Sequence, residues 1–241
     1  MVSLVLILLA SLSQTTLATF GPTVTANWAG QFPYVVKLQS SADAIEMTIP
    51  ALVVSQKMVL AEPSLFNPNS PTSYTMTSHN MQVRPVAIMV SYVSNFVVLK
   101  TCKPFGSERF NLTLSEFFNY QADNTDAAII FFEGNSLKSK STTALSDTSC
   151  DSTFGADYTD YNTCIAQDTT DDICKTYYTD DYYFATYVRE PLLVVNGRVQ
   201  GFMFSANCDS YHDNSEKTQF RKIDKFRSYI LGITGIVVDN P

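Results

Sequence analysis

Short apolar segments recur along this 241-residue chain and constrain its fold more than any other feature. Clusters of Pro, Asn, Ser and Gly separate these segments from one another. The clearest segments are residues 34–38, 49–54, 86–92, 96–100 and 127–132. This spacing predicts an all-β fold, which is either a barrel or a sandwich.

One segment near the C-terminus has the periodicity of a helix instead. Over residues 223–230, apolar side chains fall on a single helical face. Lys222, Lys225 and Arg227 are expected to point into water from the opposite side. The apolar face consists of Ile223, Phe226, Tyr229 and Ile230.

The N-terminus has the pattern of a secretion signal. An apolar core over residues 4–12 is too short to cross a bilayer, and the small residues Thr16 and Ala18 follow it. We therefore expect residues 1–18 to be a signal peptide and residues 19–241 to form one secreted domain, without membrane contact after cleavage. An uncleaved anchor is the alternative.

Charge excludes one class of partner. The formal net charge of −7 argues against nucleic acid, because phosphate binding needs a basic surface. No cofactor is expected, and no metal either, because the aspartate spacing matches no calcium loop. The single sequon, at Asn111, is expected to carry a glycan in a secreted protein.

Residues 147–183 are acidic and rich in tyrosine, with nine aspartates against one lysine. Tyrosine gives contact area at low entropic cost, and carboxylates attract basic partners. The segment is therefore a candidate protein-binding face, and the alternative is a set of loops that only keeps the protein soluble. The residues proposed for this face are Asp171, Asp172, Tyr177, Tyr178, Asp180 and Asp181.

The C-terminal part, residues 188–230, resembles the end of a trypsin-like serine protease. In that family an apolar strand leaves a Gly-Asp-Ser-Gly-Gly-Pro loop, turns at Asn-Gly, returns as Gln-Gly-Ile-Val-Ser-Trp and precedes a C-terminal helix. Here the strand leaves Pro191 and turns at Asn196-Gly197, and residues 30–34 resemble the family's Gly-Gln-Phe-Pro-Tyr. The resemblance implies two six-stranded antiparallel β-barrels with a C-terminal α-helix.

The same resemblance implies that the nucleophile is missing. Alignment on Pro191 puts Val188 at its position, and ungapped alignment on Asn196-Gly197 puts Arg189 there. Neither side chain can attack a carbonyl carbon.

The other two catalytic positions come from two further matches. Residues 53–66 resemble the family's Leu-Ile-Ser-x-x-Trp-Val-Leu-Thr-Ala-Ala-His-Cys, which puts Ser64 in place of the general base. A serine hydroxyl cannot take a proton near neutral pH. Residues 124–132 resemble the family's Asp-Ile-Ala-Leu-Leu motif, which puts Asp126 at the position of the orienting acid. Its expected role is now structural, such as accepting backbone N–H bonds near the barrel interface.

Activation is also expected to be absent. Proteases of this family are cut after a basic residue, and the new terminus pairs with an aspartate before the nucleophile. No Lys or Arg lies between Met1 and Val36, and Tyr187 or Val188 occupies the aspartate position.

Five cysteines in a secreted chain predict disulfides and one unpaired thiol. The resemblance implies a bond between Cys164 and Cys174. Cys150 and Cys208 then pair with each other, or one of them pairs with Cys102, and the odd cysteine could bond another chain.

These inferences describe a secreted, arthropod-type serine protease homologue without catalysis. Its expected partners are extracellular proteins of unknown identity, either in proteolytic cascades of immunity or in seminal fluid. One alternative is an active protease with a relocated triad that uses His79 or His212. Another is an unrelated secreted β-sandwich or barrel with a structural or carbohydrate-binding role.

Overall fold

The computed structural model describes residues 22–40, 48–62, 66–93, 96–105, 125–157, 159–165, 174–178, 184–188, 191–206 and 218–234. Residues 174–178 and 184–188 are described by their backbone alone. The predicted signal peptide therefore lies outside the described residues.

Fifteen β-strands make up most of the described chain. They are β1 (Val24–Thr25), β2 (Val35–Ser40), β3 (Thr48–Val53), β4 (Met58–Ala61), β5 (Tyr74–Thr77), β6 (Val83–Val93), β7 (Phe96–Thr101), β8 (Thr125–Glu133), β9 (Ser136–Ala144), β10 (Asn162–Cys164), β11 (Cys174–Tyr178), β12 (Phe184–Val188), β13 (Leu192–Val195), β14 (Arg198–Ala206) and β15 (Thr218–Lys222).

The helices are few and short. They are α1 (Trp28–Gln31), α2 (Asp147–Phe154) and α3 (Arg227–Thr234), with 3₁₀ turns at Pro71–Ser73, Gly155–Asp157 and Asp224–Phe226. The Ser146 hydroxyl accepts from the backbone N–H of Ser149 and so caps the start of α2.

The first half of the chain forms a closed six-stranded antiparallel barrel in the order β2-β3-β4-β7-β6-β5. Its interior is filled by alternate residues of each strand, such as Val97 and Leu99 of β7. The intervening residues Phe96 and Val98 are equally buried but join a different core, which faces the second half of the chain. Strand β7 is buried on both faces, which explains why it is a continuous apolar run in the sequence.

The second half forms a sheet in the order β1-β9-β8-β13-β14-β15-β10. A bridge between Ala144 and Ile165 links the end of β9 to the end of β10, and the Leu145 N–H donates to the Cys164 carbonyl at 3.0 Å. These contacts close six strands, β8, β9, β10, β13, β14 and β15, into a second barrel, while β11 and β12 form a separate two-stranded ribbon. The predicted two-barrel architecture is therefore confirmed.

The two barrels share an apolar interface. On β8, Ile129 and Phe131 point into the second barrel, whereas Ile130 and Phe132 point toward the first. The Asn196-Gly197 turn, with both φ angles positive at 52° and 74°, lets β13 and β14 pair as a tight hairpin.

The chain before the first barrel joins the two barrels. Strand β1 pairs with β9 of the second barrel, and the Ala26 N–H donates to the Leu137 carbonyl. Trp28 packs edge-on against Phe132 with ring centroids 5.0 Å apart, and its indole N–H donates to the Val35 carbonyl at 2.7 Å.

The C-terminal helix is confirmed, with one correction. Ile223 and Ile230 are fully buried, while Phe226 and Tyr229 pack partly buried beside them, as the periodicity predicts. Lys222 was expected to face water, but it ends β15, is 1% exposed, and its Nζ lies 2.9 Å from a carboxylate oxygen of Asp147. The expectation was wrong because residue 222 belongs to a strand, whose alternation points it inward with Phe220.

Candidate functional site at the junction of the barrels

The end of β4 and the start of β7 meet where the first barrel faces the second. Ala61 is paired with Val97 and Leu60 with Val98, and the next residue after β4 is Glu62. Glu62 is only 6% exposed, although a carboxylate is seldom buried without a partner.

A polar platform on the second barrel faces this carboxylate. Arg221 of β15 donates from Nη1 to Asn162 Oδ1 at 2.9 Å, and the Asn162 amide donates to Gln219 Oε1 at 3.2 Å. Asn162 and Arg221 are direct register partners on β10 and β15, so their side chains leave the sheet on the same face.

The charges of the two barrels interact at this point. Burial lowers the pKa of Arg221, while the negative charge of Glu62 raises it and so opposes the effect of burial. Arginine stays protonated under all ordinary conditions. The junction therefore holds two opposite charges that interact, and neither side chain stands at a position that the family motifs give to the base or the nucleophile.

Aromatic side chains also join the barrels at the start of β7. Phe96, the first residue of β7, makes edge-to-face contacts with Phe202 at 5.4 Å and with Phe226 at 4.9 Å. Tyr161 packs on Phe226 at 5.5 Å. The contacts join the start of β7 to β14 and to the turn before α3, so the barrels and the C-terminal helix are locked together here.

The predicted base position, Ser64, lies outside the described residues, two positions beyond Glu62 in the sequence. Asp126, predicted at the acid position, is on β8 of the second barrel. Its side chain is exposed and makes no polar contact with any described residue, so the expected backbone N–H bonds are not found in that part of the chain.

A second segment matches the acid motif and lies nearer to the base segment. Residues 95–99, Asn-Phe-Val-Val-Leu, fit Asp-Ile-Ala-Leu-Leu as well as residues 126–130 do, with Asn95 in the acid position. Strand β7 pairs directly with β4, which leads to Ser64, whereas β8 does not. Asn95 itself is outside the described residues. Sequence analysis missed this match because only the barrel topology distinguishes the two apolar runs.

The two nucleophile positions fall at the end of the β11-β12 ribbon. Val188 is the last residue of β12 and is paired with Cys174 of β11, while Arg189 lies outside the described residues. The next described residue is Pro191, which directly precedes β13, and its carbonyl accepts from the Met203 N–H at 3.1 Å.

Neither histidine is found on an element that carries a predicted catalytic position in the described part of the chain. His79 lies in the turn between β5 and β6, and its Nδ1 is buried without a hydrogen-bond partner among the described residues. No serine hydroxyl within the described residues makes a hydrogen bond to this imidazole. His212 is outside the described residues.

The disulfide prediction was wrong. Cys164 is bonded to Cys150, not to Cys174, with Cα atoms 5.7 Å apart. The reason is local, since α2 places the buried Cys150 beside the short strand that ends at Cys164. Cys102 is free and exposed. The side chains of Cys174 and Cys208 are not described.

Several other predicted residues cannot be placed. Asn111, Asp171, Asp172, Asp180 and Asp181 lie outside the described residues, and Tyr177 and Tyr178 are described only as backbone of β11. Within the described ranges no cluster of three or more potential metal ligands occurs. None of the helices found there is long and apolar enough to cross a membrane.

Comparisons with known proteins agree on the fold. No protein-family model matches the chain, and no curated protein is similar to it in sequence. Among solved structures, the scabies mite inactivated protease paralogue S-I1 matches with a TM-score of 0.60 and 13% identity over 85% of this chain and 95% of that chain. GrC matches with a TM-score of 0.64 and 16% identity over 89% of this chain and 99% of that chain. Mouse neuropsin, a serine protease, matches with a TM-score of 0.63 and 13% identity over 88% of this chain and 98% of that chain.

At these identities the likeness shows the fold, which is the two-barrel fold of trypsin-like serine proteases. The predicted fold class is thereby confirmed, and a β-sandwich arrangement is excluded.

Proposed function

Because the chain has the two-barrel fold of trypsin-like serine proteases, we propose that it is a secreted homologue of these enzymes that acts by binding proteins and not by cleaving them. The observation that carries the proposal is the residue type at the catalytic positions. Ser64 stands for the base, and Val188 or Arg189 stands for the nucleophile. Loss of base and nucleophile together removes a unit worth roughly 10⁶-fold in rate.

The surroundings of the catalytic positions support the same conclusion. Thr186 or Tyr187 replaces the first glycine of the family loop, two positions before the nucleophile, whose backbone N–H helps to bind the oxyanion. Glu62, two residues before the base position, is a buried carboxylate at the barrel junction. Its charge interacts there with that of Arg221 from the second barrel. One similar structure belongs to a mite protein described as an inactivated protease paralogue, and this chain shares 13% identity with it.

Labelling and turnover test the absence of catalysis. Purified mature protein should hydrolyse no peptide in a substrate library and should not react with a fluorophosphonate, while trypsin treated in parallel does both. Labelling that depends on native structure and maps to one serine would refute the proposal.

The biological setting that we propose is an extracellular proteolytic cascade of immunity, in which the protein is a regulator or cofactor, or else seminal fluid. The disulfide between Cys150 and Cys164 agrees with an oxidising compartment. Cleavage of residues 1–18 and glycosylation of Asn111 belong to the same proposal. Mass spectrometry of the native secreted protein tests both, because an unprocessed N-terminus or bare Asn111 would contradict them.

The acidic segment, residues 147–183, is the proposed partner face of this function. Replacing Asp171, Asp172, Asp180 and Asp181 with asparagine should weaken capture of a basic extracellular partner, most strongly at low salt. Replacing the exposed Lys225 should have little effect. Equal capture by parent and variant would show that these residues only provide solubility.

A further inference from the structure

Most of the exposed large apolar side chains in the described residues lie on one short stretch of the first barrel. Met81, Val83 and Ile88 are more than half exposed, and Val90 is 37% exposed. A strand that alternates strictly would not place both residue 83 and residue 88 outside. A β-bulge between Val86 and Ile88 reverses the alternation, so both the start and the middle of β6 present apolar side chains to water.

Basic side chains surround this stripe. Ile88 is the direct register partner of Lys100, so the two side chains leave the sheet on the same face. Arg84 donates from Nε to the Pro104 carbonyl at 3.3 Å, which places its guanidinium beside the segment that carries Lys103. The Lys57 carbonyl accepts from the Thr101 N–H at 2.9 Å, which places the backbone of Lys57 beside the end of β7, next to Lys100.

None of these four cations makes an ion pair with a described residue. The one described acidic residue of the first barrel is Glu62, which is buried at the barrel junction. Surface cations without counter-charges, next to exposed apolar side chains, are typical of a binding surface. We call this surface the β6 face, and it consists of Lys57, Met81, Val83, Arg84, Ile88, Val90, Lys100 and Lys103.

The whole chain is polarised in the same sense. Residues 1–105 contain five basic and three acidic residues, whereas residues 106–241 contain eleven basic and twenty acidic residues. An acidic partner is therefore repelled by most of the molecule and attracted to the first barrel, and such a field orients a partner as it approaches.

We propose that the β6 face binds an extended acidic segment of another protein that carries aromatic or aliphatic side chains. The carboxylates of this segment pair with the cations of the β6 face, and its apolar side chains cover the stripe. A purely anionic ligand such as a sulfated polysaccharide would satisfy the cations but leave Val83 and Ile88 in water, so the combination favours a protein segment. The inference does not depend on whether the protein is catalytically inactive.

A synthetic peptide with the sequence of residues 176–184 of this chain is a suitable probe, because it combines two aspartates with four tyrosines and one phenylalanine. Its binding to the full-length secreted protein should be saturable and should weaken as salt rises. The Asp180→Asn, Asp181→Asn peptide should bind about tenfold more weakly, a difference of about 1.4 kcal/mol.

Variants of the protein separate the two components of the β6 face. Lys100→Glu with Lys103→Glu should reduce peptide affinity about tenfold or more, and Val83→Ser with Ile88→Ser should reduce it to a similar extent. The matched control is Arg198→Glu with Lys225→Glu, which reverses two exposed cations on the second half of the chain and should leave binding unchanged. Thermal melts of every variant verify that each one is folded.

Several outcomes decide the matter. Equal binding by all variants, or loss of binding only in the control, would overturn the proposal. Binding of heparin or anionic vesicles that depends on Lys100 and Lys103, without any binding of the peptide, would also overturn it. Concentration-dependent self-association that the β6-face variants abolish would support the surface and identify a second copy of this chain as the source of the acidic segment.

Discussion

Glu62 of the first barrel and Arg221 of the second barrel carry opposite charges that interact across the barrel junction. Glu62 is nearly fully buried, whereas Arg221 is partly exposed and is also held by Asn162. This interaction adds to the apolar contacts between the two barrels and to the hydrogen bond that Lys37 Nζ donates to Asn135 Oδ1 at 2.6 Å.

Removing one member of this pair should cost more than removing both. Arg221→Met removes a positive charge that interacts with the buried Glu62 carboxylate, and we expect a loss of about 2 kcal/mol in unfolding free energy, below the usual range for fully buried pairs because Arg221 is partly exposed. Adding Glu62→Gln should recover part of that loss. Denaturant titration of both single variants and the double variant measures the coupling, and strictly additive effects would show that the two charges do not interact.

The Cys150–Cys164 bond should contribute substantially to stability. It links residues 14 positions apart, and closing a loop of this size is worth about 3 kcal/mol. Replacing both cysteines with alanine should lower the unfolding free energy by about that amount, whereas Cys102→Ala should change it little because Cys102 is exposed and unbonded. A proteolytic map under non-reducing conditions should contain a peptide pair that joins Cys150 to Cys164, and a pair joining Cys164 to Cys174 would contradict the structure.

Asp224 should make stability depend on pH in the acid range. Burial raises its pKa, while a hydrogen bond from the Lys225 backbone and the charges of Lys225 and Lys222 lower it. Because the folded-state pKa is the higher one, the folded protein binds this proton more tightly than the unfolded chain. The stability that this provides is present below the ordinary carboxyl pKa of about 3.9 and is lost as the pH rises through the raised folded-state value.

Asp224→Asn should therefore be more stable than the parent at pH 7. The gain should be below about 1 kcal/mol because the carboxyl group is only partly buried. The difference should disappear in acid, where the parent carboxyl group is protonated. Melting temperatures of both proteins between acid and neutral pH measure this, and a constant difference would show that Asp224 does not titrate as described.

Restoring two catalytic side chains should not restore proteolysis. Two double variants test this, Ser64→His with Val188→Ser and Ser64→His with Arg189→Ser. Each still has Thr186 or Tyr187 in place of the family glycine whose backbone N–H helps to bind the oxyanion. One such donor is worth roughly 3 to 4 kcal/mol in related chemistry. Assay with a peptide substrate library checks both variants, and measurable turnover by either one would show that the loop is competent.

Strands β9 and β15 were not predicted, but the strands over the five apolar segments, the Asn196-Gly197 turn and the C-terminal helix were predictable from the sequence. Each depends on local physical chemistry, because apolar alternation defines a strand face, an Asn-Gly pair tolerates positive φ, and a helical period groups Ile223 with Ile230. The resemblance to trypsin-like proteases then supplied the arrangement of these elements in two barrels.

Non-local pairing decided the rest. Residues 95–99 and 126–130 are both polar-then-apolar runs, and only the pairing of β7 with β4 distinguishes the one nearer to the base segment. Cys164 could have bonded to several partners, and the packing of α2 against β10 selected Cys150. Lys222 and Glu62 are charged residues that the sequence would place in water, yet the sheet and the barrel junction bury them beside Asp147 and Arg221. A residue's charge or polarity is visible in the sequence, but its partner is set by strand register and barrel closure, which bring together residues distant in the chain.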